Sequence, residues 1–252
     1  MRYHFKPADL LRGLGPEEMG LAYTYVQRVE LAGRQTEIDT GDTEVCLAVV
    51  EGQAGYELAG SRGTAPAKDM LYVPRRSVLT LSASDRAVVM RYGAPAHIDT
   101  GFVHIPFARI DADPARHAVY GRRENHSRRN VWHFIGDDFN ASRLMMGICR
   151  SETGGWTSWP PHEHGEQREE VYTYIDMGRA FGIQCVYEDM RDPLVVAMVT
   201  EGDIISIPRG YHPNVGCPAG VMSFIYCMVA RTPGQRQFMD LRIQPIYGDR
   251  FE

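Results

Sequence analysis

The feature that most constrains this chain is that it repeats itself. Glu44-Val45 opens an apolar run that closes at Gly52, and Glu170-Val171 opens another that closes at Gly178, about half the chain's length away. Farther on, Asp69-Met-Leu-Tyr-Val-Pro74-Arg75 is matched in pattern by Asp203-Ile-Ile-Ser-Ile-Pro208-Arg209. Strand-length apolar runs separated by Gly and Pro, repeated at so long a period, predict one β unit written twice. The runs VCLAVV, MLYVP, VLTLS, AVVMRY, VYTYI, FGIQCVY, VVAMV, IISIP and FIYCMVA are rich in β-branched and aromatic residues, so the expected fold is all-β. We expect two small antiparallel β-barrels in tandem, over residues 1–110 and 111–252. The polar stretch DADPARHAVYGRRENHSRRN connects them, with about one helical turn. The copies differ in one respect that matters. The first has no counterpart of His162-x-His164, and the place of His212 falls at Val78, so polar chemistry is expected in the second barrel alone.

Composition narrows the function classes. A chain of 252 residues with 44% apolar content can fill cores of adequate size. A net charge of -5 and a pI near 6.0 leave no basic surplus for a phosphate backbone, and Arg122, Arg123, Arg128 and Arg129 read as a solvated or substrate-facing patch. No nucleic-acid partner is expected. No apolar run approaches the ~20 residues that cross a bilayer, and MRYHFKPADLL lacks a signal peptide's uncharged core, so the expectation is a cytoplasmic protein without a membrane partner. Cys46, Cys149, Cys185, Cys217 and Cys227 are odd in number with no CxxC pair, which argues against disulfides and a thiolate zinc site.

The chemistry concentrates in Trp159-Pro-Pro-His162-Glu-His164-Gly-Glu-Gln-Arg-Glu-Glu170-Val-Tyr-Thr-Tyr174. Residues two apart on a strand share a face, so His162 and His164 can offer imidazoles to one ion. A turn over 165–168 would fold Glu170 back beside them, and a Gly-permitted turn at Gly210 would bring in His212. Three imidazoles and a carboxylate suit one first-row divalent ion, Zn, Mn or Fe, with positions left for substrate. Glu169 also lies near the required spacing, but Glu170 shares its face with Tyr172 and Tyr174, and Glu170 is the expected ligand. His4, His97, His104, His117, His126 and His133 lack such company and are expected to be ordinary surface or core residues.

These residues carry a family resemblance. G-x6-HxH-x5-E followed by G-x5-P-x-G-x-H is similar to the paired motifs of the cupin superfamily, which with the repeat implies a bicupin of jelly-roll barrels. Trp156-Thr-Ser-Trp-Pro-Pro-His-Glu-His164, Glu169-Glu-Val-Tyr172, Gly182-Ile-Gln-Cys-Val-Tyr187 and Pro208-Arg-Gly-Tyr-His-Pro213 resemble the bacterial 5-deoxy-glucuronate isomerases of myo-inositol breakdown, and Thr40-Gly-Asp-Thr-Glu44 extends the likeness to the first half. The departures are a shorter stretch between His164 and Glu170, Cys227 in place of an expected Asn, and a tail, RIQPIYGDRFE, without a family counterpart. They bear on the sugar more than on the metal.

The resemblance implies an aldose-ketose isomerase that converts 5-deoxy-glucuronate to 2-deoxy-5-keto-gluconate. Such a reaction needs a cation at the developing enediolate oxygen and a base for the adjacent proton. Glu169, Tyr172 and Tyr174 are the candidates for that base. Arg209, on the turn that carries His212, is the candidate for the substrate carboxylate, with Tyr211 and Gln184 as further substrate-binding residues. The alternatives are a 5-keto-4-deoxyuronate isomerase of pectin breakdown, a ferrous-iron cupin dioxygenase with the same ligands, or a sugar-binding regulatory module, against which stands the lack of a helix-turn-helix pattern. The expected partner is a small sugar acid, with association, if any, as a homodimer.

Overall fold

A computed structural model describes residues 1–248 and Arg250; of the tail, Asp249, Phe251 and Glu252 lie outside the described residues. The chain is nearly all β and every sheet is antiparallel. A five-stranded sheet in the first half has Thr43–Glu51 at its centre, between Met70–Val73 and Arg86–Pro95. A four-stranded sheet faces it, formed by Gln35–Asp39, Val78–Ser82, Gln53–Leu58 and Ser61–Pro66. In the second half a seven-stranded sheet carries Arg168–Tyr174 beside Ile204–Ile207 and Ser223–Ala230, then Leu144–Ser151 and Arg129–Ile135. Its facing sheet holds Trp156–Thr157, Asn214–Gly216, Gly182–Val186 and Val195–Val199. Every apolar run singled out above lies largely on a strand.

Alternation along these strands builds three apolar layers. Val45, Leu47 and Val49 point between the five- and four-stranded sheets of the first half. Cys46 and Ala48 point the other way and meet Val171, Ile204 and Cys227 of the second half. Tyr172, Tyr174 and Phe224 fill the space between the seven-stranded sheet and its four-stranded partner. The two large sheets are therefore apolar on both faces, and their contact is a core in its own right. Strand His4–Phe5 pairs with Ile204–Ile207, so the N-terminus contributes to the sheet of the second half. The polar connector is more ordered than expected. Helix Phe107–Ala112 runs into its first two residues, and His117–Tyr120 pairs with Arg129–Ile135 as a sheet edge. No helix among the described residues is long and apolar enough to cross a membrane.

The register corrects one detail of the repeat. Val45 pairs with Val73 and Glu170 with Ile207, and Val73 and Ile207 hold the same place in the Asp-to-Pro-Arg motif. Hence Val45, not Glu44, is the counterpart of Glu170, and Glu44 corresponds to Glu169. The sequence spacing misleads because Gly52 lies seven residues beyond Val45 whereas Gly178 lies eight beyond Glu170, so aligning the two glycines sets the strands one residue out of register. One residue along a strand exchanges faces. The first interior thus has a valine where the second has a carboxylate, and Val78, in the place of His212, is exposed.

Glu44 and Glu169 form a matched pair of clamps between the halves. Glu44 accepts the backbone N–H of Ser142, Arg143 and Leu144 at 2.7, 2.6 and 2.8 Å, with the Tyr72 hydroxyl at 2.7 Å. Glu169 accepts the N–H of Ala22, Tyr23 and Thr24 at 2.7, 2.9 and 2.8 Å, with the Thr24 hydroxyl at 2.6 Å. Each carboxylate is fully buried and reaches the chain just ahead of a strand in the opposite half. A buried charge persists only when so many donors replace its water.

Candidate metal centre

Three turns bring the ligands together. His162 lies on the short strand His162–Glu163, and its Nδ1 is 2.9 Å from the Pro160 carbonyl, a bond that selects the tautomer with its lone pair on Nε2. A turn closed by Gln167 N–H donating to the His164 carbonyl leads into Arg168–Tyr174 and so to Glu170. Gly210, at φ +92, makes the third turn, where a Cβ would lie 2.7 Å from the Tyr187 carbonyl oxygen. The backbone there tolerates only glycine without strain. Two residues on, His212 Nδ1 lies 2.9 Å from the Gly210 carbonyl, so this imidazole is held in the same way as His162.

The ligand atoms of His162, His164 and His212 lie within 4.8 Å of one another, and all three residues are buried. Glu170 Oε2 completes the cluster, 3.4 Å from His164 Nε2 and 3.3 Å from His212 Nε2. Neither Glu170 Oε2 nor His212 Nε2 has a hydrogen-bond partner, although both are buried. Orphaned acceptors on neutral imidazole and carboxylate are costly unless a cation shares them, and this donor set fits one divalent ion. Burial keeps the imidazoles neutral. It depresses His164 to about 3, His212 to about 4 and His162 well below the usual range, with the neighbouring imidazoles adding to the effect on His162. Burial also pushes Glu170 up to about 7, against the pull of His212 and Arg168. Neutral imidazoles at pH 7 are ready to ligate without losing a proton.

Above the cluster lies a cavity lined by Tyr120, Arg129, Ser158, Tyr172, Tyr226, Phe238 and Leu241 together with His162, His164 and Glu170. Of the expected catalytic residues only Tyr172 borders it. Its hydroxyl is 2.8 Å from Ser158 Oγ, and its ring meets His212 edge-on. Tyr174 is fully buried and donates to Gln184 Oε1 at 2.6 Å. Glu169 lies on the opposite face of the same strand, in the inter-sheet clamp, so the structure does not bring it to the cavity. Gln184 is buried too, and its amide donates to the His212 carbonyl at 2.9 Å. It supports the backbone of a ligand rather than facing the cavity. Tyr211 packs on Tyr187 and is not among the residues that line the cavity. Arg209 stands out in solvent, where its Nε donates to Glu188 at 2.6 Å. A turn fixes the backbone of both Arg209 and His212, but three residues apart on that turn they point differently.

Arg129, not Arg209, is the arginine that lines the cavity. Its guanidinium donates to the Ser127 and Trp159 carbonyls and lies over the Tyr120 ring. The cluster of connector arginines was its one sequence signal. Trp156 and Trp159 do not line the cavity; their tilted rings pack together and form part of an apolar groove with Tyr187 and Tyr247. Cys227, which departs from the expected pattern, faces the contact between the large sheets and leaves the site unchanged.

The KduI/IolB family model matches residues 6–245. The chain belongs to the KduI/IolB family. Among curated relatives, the 5-deoxy-glucuronate isomerase of Shouchella clausii is 27% identical over 234 residues, covering 85% of this chain and 83% of that protein. Among solved structures, an IolB-like protein from Salmonella typhimurium superimposes with a TM-score of 0.82 at 18% identity, covering 98% of each chain. A cupin 2 conserved barrel domain protein from Leptotrichia buccalis gives a TM-score of 0.51 at 10% identity over 82% of this chain and 84% of that one. The fold of this KduI/IolB member is thus cupin-like, and its buried His triad is placed to hold a metal.

Proposed function

We propose that the protein is a metal-dependent aldose-ketose isomerase that converts 5-deoxy-glucuronate to 2-deoxy-5-keto-gluconate, with residues 111–252 as the metal-bearing unit and 1–110 as a barrel without an ion. The observation that carries this reading is the buried cluster His162, His164, Glu170 and His212 at the floor of a cavity walled by tyrosines and an arginine. A divalent ion held there, Zn, Mn or Fe, supplies Lewis-acid polarisation of the substrate carbonyl. The protein's own residues do the rest. Tyr172 presents a phenol that burial holds well above its ordinary pKa, so at neutral pH it is a hydrogen-bond donor, and Ser158 orients it. Arg129 brings positive charge to the wall, where a carboxylate several ångströms from the reacting carbonyl would sit. The cavity, about 50 Å³, has room for an ion with a few waters. Phe238 and Leu241, which lie outside the strands, form one of its walls.

The test is an assay of the metal-loaded protein on 5-deoxy-glucuronate and on 5-keto-4-deoxyuronate. Turnover of the first, tenfold or more above the second, is the expected result; inactivity on both rejects the reading. Arg129→Met should raise KM for the uronate about tenfold or more, the equivalent of about 1.5 to 3 kcal/mol for a charged hydrogen bond. Arg209→Met, at an exposed ion pair, should leave kcat/KM within twofold. The reverse pattern would return the carboxylate to Arg209.

A further inference from the structure

The cavity holds a second acid-base assembly. Arg129–Ile135, Leu144–Ser151, Ser223–Ala230 and Arg168–Tyr174 are successive neighbours, and their register sets His133 across from Gly147, Gly147 across from Tyr226, and Tyr226 across from Tyr172. One transverse row thus runs from half-buried His133 to the tyrosine beside the metal ligands. In that row the middle residue has no side chain. A Cβ on Gly147 would lie 2.3 Å from the Tyr226 hydroxyl, so only glycine lets the phenol cross its strand. The result is a bond of 2.7 Å between Tyr226 Oη and His133 Nδ1, across 93 residues of sequence. Phe238, a wall of the cavity, packs edge-on against the His133 ring at 4.5 Å. With its proton on Nε2, His133 accepts the phenolic proton at Nδ1, which turns the lone pairs of Oη toward the cavity.

We propose that Tyr226, backed by His133, carries the hydroxyl proton of the isomerisation between the two substrate oxygens. The inference rests on the isomerase reading. Moving a carbonyl between adjacent carbons requires two proton transfers, one from carbon to carbon and one from oxygen to oxygen. In the second, with O1 of the enediolate intermediate still unprotonated, the O–H bond at C2 breaks and its proton forms a bond to Tyr226 Oη, while the phenolic proton passes to His133 Nδ1. The electron pair released at O2 closes the C2 carbonyl as C1 takes up a proton. The imidazolium then returns its proton to Oη, and Oη delivers one to O1. C2 is oxidised, C1 is reduced, and the pair ends as it began. Tyr226 touches the substrate; His133 acts through it and is a positioning residue.

Tyr226→Phe keeps the ring and its packing and removes only the hydroxyl. We expect kcat to fall about 100-fold or more, the scale of a lost general acid-base group, with KM within threefold and metal content and melting temperature unchanged. His133→Gln, which keeps an acceptor but cannot carry the proton, should lower kcat about tenfold with the same KM. In D2O, substrate recovered from Tyr226→Phe should still gain deuterium at C2, because the enediol forms and reverts even when the oxygen proton is stranded. Loss of deuterium uptake in step with turnover would overturn the proposal, as would kcat within twofold of wild type. Should the wild-type protein turn over neither uronate, the isomerase reading fails and this relay with it; an active wild type with an equally active Tyr226→Phe rejects the relay alone.

Discussion

His162→Ala should empty the metal centre and abolish turnover while the protein stays folded. The imidazole is one of three whose ligand atoms converge within 4.8 Å, and its removal leaves the others to hold an ion with a broken shell. Even partners outside the ligand shell change affinity by about 10 to 100-fold, so losing a ligand should exceed that. The fold should survive because the three apolar layers are built by other residues. The stability lost is that of ion binding to the native state, about 3 to 4 kcal/mol if wild type is studied at 100 to 1,000 times its dissociation constant. Elemental analysis should find about one ion per wild-type chain and nearly none in the variant. An ion retained in His162→Ala would place the metal elsewhere, and among the described residues His162, His164 and His212 form the one group of three such side chains placed to hold an ion.

How much of this was legible in the sequence depends on how far apart the partners are. The strands could be read from short runs because alternation is local, and His162, His164 and Glu170 sit within one turn and two strands. His212 was found because Gly210 makes its turn identifiable. The choice between Glu169 and Glu170 was a matter of strand parity, and Tyr172 fixes the parity. What failed was direction and distance. Arg209 shares a turn with His212, but its side chain leaves for solvent and Glu188, which spacing alone does not reveal. Arg129 enters the cavity through the pairing of its strand with Leu144–Ser151, a register that no local pattern encodes. Tyr226 read as one apolar residue in FIYCMVA and His133 as an ordinary histidine. Only the sheet sets them on either side of Gly147.

The adjacent acids Glu169 and Glu170 make the strongest test of the whole arrangement, because they should fail in opposite ways. Glu169→Ala removes the acceptor of three backbone N–H groups and the Thr24 hydroxyl. Thr24 is fully buried, so its donors are left without a partner, whereas Ala22 is exposed and water can reach its N–H. An unsatisfied buried donor costs about 1 to 3 kcal/mol. With water compensating part of the loss, we expect about 3 kcal/mol, which for a chain of this size lowers the melting temperature by about 10 °C. Metal content should stay near that of wild type, since the carboxylate lies on the face away from the histidines. Glu170→Gln should do the reverse. An amide is a poor ligand for a divalent ion, yet it fills the same volume and relieves a buried carboxylate, so the ion is lost while the metal-free melting temperature holds or rises. Glu44→Ala, at the counterpart clamp, should resemble Glu169→Ala in stability and leave the metal untouched. Metal analysis and thermal melts on the three variants, with EDTA-treated samples alongside, would read both effects. If Glu169→Ala lost its ion without a drop in melting temperature, the two acids would have been assigned the wrong way round.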